Sequence, residues 1–295
     1  MAYLEFRPTQ TLFQYTSVDG LVGIVRSKKL RLSDLQAGND PREIHLGLER
    51  VLQALRTVFE EEPGGPRRGL LGTLVNDLAG YFDRAQVFSS CFSLADDELP
   101  MWSAYGQQYA GVSLGFRPSA LLGIPARVQR VKYLDPAKEA EEFRNLALGI
   151  AAGLGQYARS NDLLPFINAG TNAITAVTAL KHAKWGYERE VRIVYVQRKE
   201  KPTGDLAKFP ATMMPGNKML YWREPLVRTV GERSVSYVEF PFGRVRGDDC
   251  DSSRALKSVT LGPNCALTVA EVEGELKEQG YLDCVVQKST CQIRV

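Results

Sequence analysis

Glu188-Arg-Glu-Val-Arg-Ile-Val-Tyr195 sets two carboxylates and a guanidinium at alternate positions. Alternate side chains of a β-strand share a face. As a strand, this stretch points Glu188, Glu190, Arg192 and Val194 one way, and Arg189, Val191, Ile193 and Tyr195 the other. Carboxylates fixed on a rigid element can stabilise a developing positive charge or move a proton, and a guanidinium beside them can hold a phosphate. A solvated strand face with Glu–Arg pairs has the same pattern. Lys181 to Trp185 reads as the end of a helix, and Gly186 as the turn into the strand.

Other segments must position these groups. Leu12-Phe-Gln-Tyr-Thr16 is β-prone, and Ser17 or Asp19 can cap a helix through Leu21, Ile24 and Val25. Leu30 to Ser33 is a short strand. Asn39-Asp-Pro-Arg-Glu43 reads as a helix entry, with Asn39 or Asp40 as cap and Pro41 in the first turn. Helices are expected over about 42–60, 70–84, 136–159, 171–184 and 268–279. Strands are expected at 86–93, 110–116, 127–133, 188–197, 234–240, 259–263, 282–287 and 291–295. Residues 199–233 carry the weakest pattern. The mixture lacks a regular βαβ rhythm, and no phosphate-binding glycine loop is present, so the expected class is α+β. Mixed, mainly antiparallel sheets flanked by helices are expected, in one domain over 1–295. Its expected insertions are a helical one at about 136–184 and an irregular one at about 199–233.

Composition narrows the class further. The 295 residues are 44% hydrophobic and 24% charged, ordinary for a soluble globular chain. A net charge of +3 is too small to argue for nucleic acid by itself. No apolar run reaches the length of a membrane span, and the first residues show no signal-peptide core, so the reading is cytoplasmic with no membrane partner. Five widely spaced cysteines and two histidines give a Cys/His metal site little support, and reduced thiols are expected.

In order along the chain stand Phe13-Gln-Tyr-Thr-Ser17, Leu30-Arg-Leu-Ser33, Asn39-Asp-Pro-Arg-Glu43, Phe92-Ser-Leu94, Trp102-Ser-Ala-Tyr-Gly106, Gly111-Val-Ser-Leu-Gly-Phe116, Glu188-Arg-Glu-Val-Arg192 and Leu261-Gly-Pro263. With them the chain resembles a bacterial family catalogued as domain of unknown function 2971. The order is also similar to the ADP-ribosyltransferase fold. That second resemblance implies an enzyme using NAD as substrate and acting on a macromolecule, protein or nucleic acid, with bacterial defence or a toxin system as its setting. It implies Glu190 as the carboxylate that stabilises the ribose cation and Glu188 as the group that orients or deprotonates the acceptor. Gln14, Tyr15, Thr16 and Ser93 then fall at the nucleotide-binding places. Tyr15, Trp102 and Tyr105 are candidates to stack on a ring. Arg192 is the candidate for the pyrophosphate, with Arg26 as a second. Gln14 stands where described members carry His or Arg. The alternative is a non-catalytic nucleotide- or nucleic-acid-binding sensor module on the same scaffold. Tyr15, Trp102 and Tyr105 also have a plainer reading as core aromatics.

Overall fold

The computed structural model describes residues 6–38, 43–135, 137–160, 163–204, 212–213, 219–220, 222–246 and 249–293. The chain begins with β1 (Leu12–Thr16), α1 (Val18–Ser27) and β2 (Lys29–Asp34). Ser17 caps α1 by accepting from Gly20 N at 3.0 Å. Next come α2 (Glu43–Glu61), α3 (Pro66–Ala79) and α4 (Tyr81–Arg84). Then follow β3 (Ala85–Ser93), α5 (Leu99–Tyr105), β4 (Val112–Phe116), α6 (Pro118–Leu121), β5 (Arg127–Arg130) and β6 (Lys132–Leu134). A helical stretch gives α7 (Glu139–Ser160) and α8 (Leu163–Thr178), and leads to β7 (Leu180–His182), a 3-10 turn (Ala183–Glu188) and β8 (Glu190–Arg198). Two short pieces, β9 (Thr212–Met213) and β10 (Met219–Leu220), precede β11 (Leu226–Val230) and β12 (Arg233–Pro241). The chain ends with β13 (Arg244–Arg246), β14 (Asp249–Asp251), β15 (Leu256–Leu261), α9 (Val269–Glu278) and β16 (Val285–Lys288).

The fold is α+β, built on a ten-stranded sheet that is antiparallel except where β15 meets β16. β8 pairs with β3 from Ala85↔Arg198 to Ser93↔Glu190 and so occupies one whole edge of β3. The other edge is shared. β2 touches it at Ser33↔Ser89 and Asp34↔Phe88, and β1 at Phe13↔Ser93. Between these footholds the sheet forks. β2 continues into β12 and β11, while β1 continues into β4, β15 and β16.

Alternation along the strands separates two cores. Phe88, Phe92, Val191, Ile193 and Tyr195 face a core shared with Leu21 and Val25 of α1 and Val272 and Leu276 of α9. Val87 and Val194 face the helical layer, where α2, α3, α7 and α8 bury Val51, Leu55, Leu71, Ile150, Leu154 and Ala173. The segment expected as an insertion at about 136–184 therefore shares a core with α2 and α3. Gly47 allows α2 its closest approach to α8. A Cβ there would lie 2.5 Å from Val177 O. Gly47→Ala is expected to push α2 outward and cost about 1–3 kcal/mol, read as a lower urea midpoint. An unchanged midpoint would show that the contact relaxes freely.

Several expectations change. The helix expected at 171–184 is α8, which ends at Thr178, so Lys181 belongs to β7 and not to a helix end. The helix expected at 70–84 starts at Pro66 and breaks at Gly80. The segment 199–233 contributes β11, which forms one edge of the sheet. Cys291 to Ile293 are not a strand. Just before them, Asp97 accepts from Thr290 N at 2.7 Å and Thr290 Oγ1 at 2.6 Å, spending on a carboxylate a backbone donor a sheet would need. The expected caps Asn39 and Asp40, with Pro41 and Pro136, lie outside the described residues. Among the described residues, no helix is long and apolar enough to cross a membrane.

Candidate functional site

A cavity of about 430 Å³ fills the fork. Its walls come from β1, α1, β2, β3 and α5, and Lys181, Glu188, Glu190 and Arg192 form its acidic and basic floor with Glu43. Gln14, Tyr15, Thr16, Ser93 and Tyr105 line it too. Every candidate residue named above except Trp102 and Arg26 thus meets at one place. Trp102 is fully buried behind Tyr15, edge-on to it at 4.8 Å, and donates its Nε1–H to Asp97 at 2.8 Å. Its expected stacking role gives way to a core role.

The floor is not a solvated strand face. Glu190 is 4% exposed and Arg192 1%. Arg192 Nε donates to Glu190 Oε1 at 2.7 Å, and Nη2 donates to Glu190 Oε2 at 2.9 Å, a two-point pairing. Nη2 also meets Glu43, and Nη1 donates to Thr178 O at 2.8 Å. All three nitrogens of Arg192 are thus engaged inside the protein, an arrangement for an internal counter-ion rather than for an incoming pyrophosphate. Arg26, the second candidate, is fully turned to Glu275 on α9 at 2.8 Å.

Glu188 reaches the floor by a different route from the one expected. Arg189 has φ 44°, a left-handed backbone that breaks the strand between Glu188 and Glu190. Glu188 therefore ends the 3-10 turn, outside β8. The turn still aims it inward, where Tyr105 donates to one carboxylate oxygen and Lys181 Nζ to the other at 2.6 Å. Lys181 also donates to Glu190 at 3.1 Å and so bridges the two carboxylates. Ser93 fixes the turn by donating to Glu188 O at 2.7 Å, and the Glu190 N–H donates to Tyr133 Oη at 2.7 Å. Cys91, opposite Arg192 on β3, lends its thiol to Glu190.

At the opening of β1, Gln14 Nε2 donates to Ser90 Oγ at 3.0 Å. Gln14 Oε1 is buried and has no hydrogen-bond partner among the described residues. Tyr15 Oη donates to Ala95 O at 3.3 Å and accepts from Glu98 N at 3.1 Å, so its hydroxyl is committed to the loop before α5.

These contacts divide the carboxylates. Burial pushes Glu190 up, but Arg192 and then Lys181 outweigh it and hold the carboxyl well below the usual range. Burial and the neighbouring Glu190 charge raise Glu188. Burial also raises Glu43, against the pull of Arg192. Lys181 resists burial and is raised by Glu190, Glu43 and Glu188.

The signs fix a pH dependence. The depressed Glu190 stabilises the fold above the ordinary carboxyl value of 4.5, and that contribution fades as pH falls through its lower folded value. Glu188 and Glu43 act oppositely: their raised values favour the fold at low pH and lose that contribution as pH rises past 4.5. The difference between wild type and Glu190→Gln isolates the first effect. It is expected to be large at pH 6 and to shrink below about pH 4 in urea unfolding. A difference constant from pH 6 to pH 3 would refute the charged state assigned to Glu190.

Sequence reasoning missed Lys181, Glu43, Cys91 and Tyr133. Glu43 closed the Asn-Asp-Pro-Arg-Glu segment, and Lys181 is the first charge after eighteen uncharged residues from Leu163 to Leu180. Neither signal says what the residue meets.

Fold and site together define an α+β protein with a polar cleft at a forked sheet, floored by paired carboxylates. Residues 101–193 match the model of a family described as protein of unknown function (DUF2971). The matched stretch carries Trp102, Tyr105, Lys181, Glu188, Glu190 and Arg192. No curated protein and no solved structure matches the chain.

Proposed function

We propose that the cleft binds NAD, breaks its nicotinamide–ribose bond and passes ADP-ribose to a macromolecular acceptor, protein or nucleic acid. The observation that carries this reading is the convergence of Glu188 and Glu190 with Gln14, Tyr15, Ser93 and Tyr105 on one cavity. As the C1′–N bond lengthens, positive charge grows on the ribose, and a carboxylate held ionised lowers the energy of that state. Glu190 has that charge. Glu188, with its raised carboxyl, takes the acceptor's proton as the new bond to C1′ forms. The unpartnered Gln14 Oε1 offers an acceptor to a carboxamide N–H. A cavity near 430 Å³ falls in the range of roughly 300–1,000 Å³ usual for small-molecule sites. The bacterial defence or toxin setting belongs to the same proposal.

NAD labelled in its ADP-ribose half tests it. Nicotinamide release together with label on a protein or nucleic-acid acceptor is the expected result. A second reading, binding without turnover, is favoured by one observation: both oxygens of Glu190 are held by Arg192 and Lys181. NAD that binds and stays intact through long incubation would select that reading.

A further inference from the structure

The outer end of the cavity has a different chemistry from its floor. Cross-strand register puts Arg228 opposite Val235, Tyr237 opposite Ser33, and Glu239 opposite Arg31. These residues share one sheet face, and Lys29, Arg31, Ser33 and Arg228 all line the cavity. Two guanidiniums lie against one ring: Arg31 at 5.0 Å and Arg228 at 5.9 Å from the centre of Tyr237. Arg228 Nη2 donates to Ser33 Oγ at 3.0 Å. Its Nε is buried and has no acceptor among the described residues. Of the carboxylates nearby, Glu239 already serves Arg31 at 3.1 Å and Lys29 at 3.6 Å, and Asp34 is turned to other donors, Gln86 at 2.8 Å and Gln36 N at 3.0 Å. Burial and the repulsion of Arg31 both act against the charge on Arg228.

We propose that Arg228 and Arg31 hold a phosphate group at this outer end, so that the cavity receives a phosphorylated ligand with its phosphate on β2 and β11 and its other end on the glutamates. Arg31 keeps Glu239 as its counter-ion, and an anion reaching Arg228 offsets the repulsion that Arg31 exerts on it. A buried Nε–H without an acceptor is satisfied by the same oxygen. This site takes over the phosphate role that Arg192 cannot fill. It uses the cavity of the proposed function but does not depend on bond cleavage.

Titration calorimetry with inorganic pyrophosphate and with ADP, at low salt, tests it. Wild type is expected to bind pyrophosphate, with an affinity that falls as salt rises. Arg228→Gln is expected to weaken binding at least about tenfold, Arg31→Gln by less, and Arg228→Lys to an intermediate degree. ADP binding tighter than pyrophosphate identifies a nucleotide as the source of the phosphate, and equal binding identifies pyrophosphate itself. Both support the site. Absence of pyrophosphate binding at millimolar concentration, or a folded Arg228→Gln protein that binds as wild type does, would overturn it. A protein that binds pyrophosphate but leaves NAD intact would refute turnover and leave this site standing.

Discussion

Arg192→Met is expected to cost about 3–5 kcal/mol of folding stability. Methionine fills much of the same volume, so the loss is electrostatic rather than a cavity effect. The guanidinium is 1% exposed, and it is the partner of both Glu190 and Glu43. Without it, two buried carboxylates keep, among the described residues, only Lys181 as a nearby cation, and Thr178 O loses its donor. Such carboxylates escape the cost by taking up protons. Their folded values then rise above 4.5, so stability is retained below that pH and lost as pH increases. Urea unfolding of Arg192→Met should therefore show a deficit that is largest near pH 7 and narrows toward pH 4. Adding Glu43→Gln and Glu190→Gln should recover part of it. A deficit under about 1 kcal/mol at pH 7 would mean that the floor is looser and wetter than its geometry implies.

Glu190→Gln is expected to lower nicotinamide release by about 10²- to 10³-fold, the scale of removing one preorganised charge-stabilising group. Glutamine keeps the size and one acceptor of the side chain, so NAD affinity should change much less than turnover. That split, with kcat falling and KM near its starting value, marks a group acting on the transition state. Glu188→Gln should act differently. With its raised carboxyl removed, the pH dependence of transfer to the acceptor should flatten. Nicotinamide release at the wild-type rate from folded Glu190→Gln protein would remove Glu190 from catalysis and leave its tie to Arg192 as its role. Both outcomes need circular dichroism beside them, because the substitution also disturbs the partners of Arg192 and Lys181.

Much of the scaffold was legible in local pattern. β1, α1 and β2 follow from a β-prone run, a serine cap and a short alternating strand. β8 follows from the alternation of Val191, Ile193 and Tyr195 against Glu190, Arg192 and Val194: the first set enters one core, while Val194 meets the helical layer and Glu190 and Arg192 floor the cavity. The failures have local causes as well. The apolar run ending in Leu180 reads equally as helix or strand, and the chain changes from α8 to β7 within it. Arg189 takes a left-handed backbone with no glycine to announce it.

The sequence by itself determined the α+β class, the strand that carries Glu190 and Arg192, and the polar and aromatic residues that end up around one cleft. Period and residue type are enough for that, because a strand fixes the side of each residue without reference to its neighbours. Tertiary structure decided what those charges are. Glu43 lies 149 residues from Arg192 in the chain, and only the packing of α2 on α8 brings the two together. Burial between sheet and helical layer then turns a stripe of alternating charge into an ion network. It also shifts Glu190 down and Glu188 up from the ordinary carboxyl value, because the energy of a charge depends on what surrounds it in space. The fork that opens the cleft is likewise a property of pairing: β1 and β2 compete for one edge of β3 and meet it at different points.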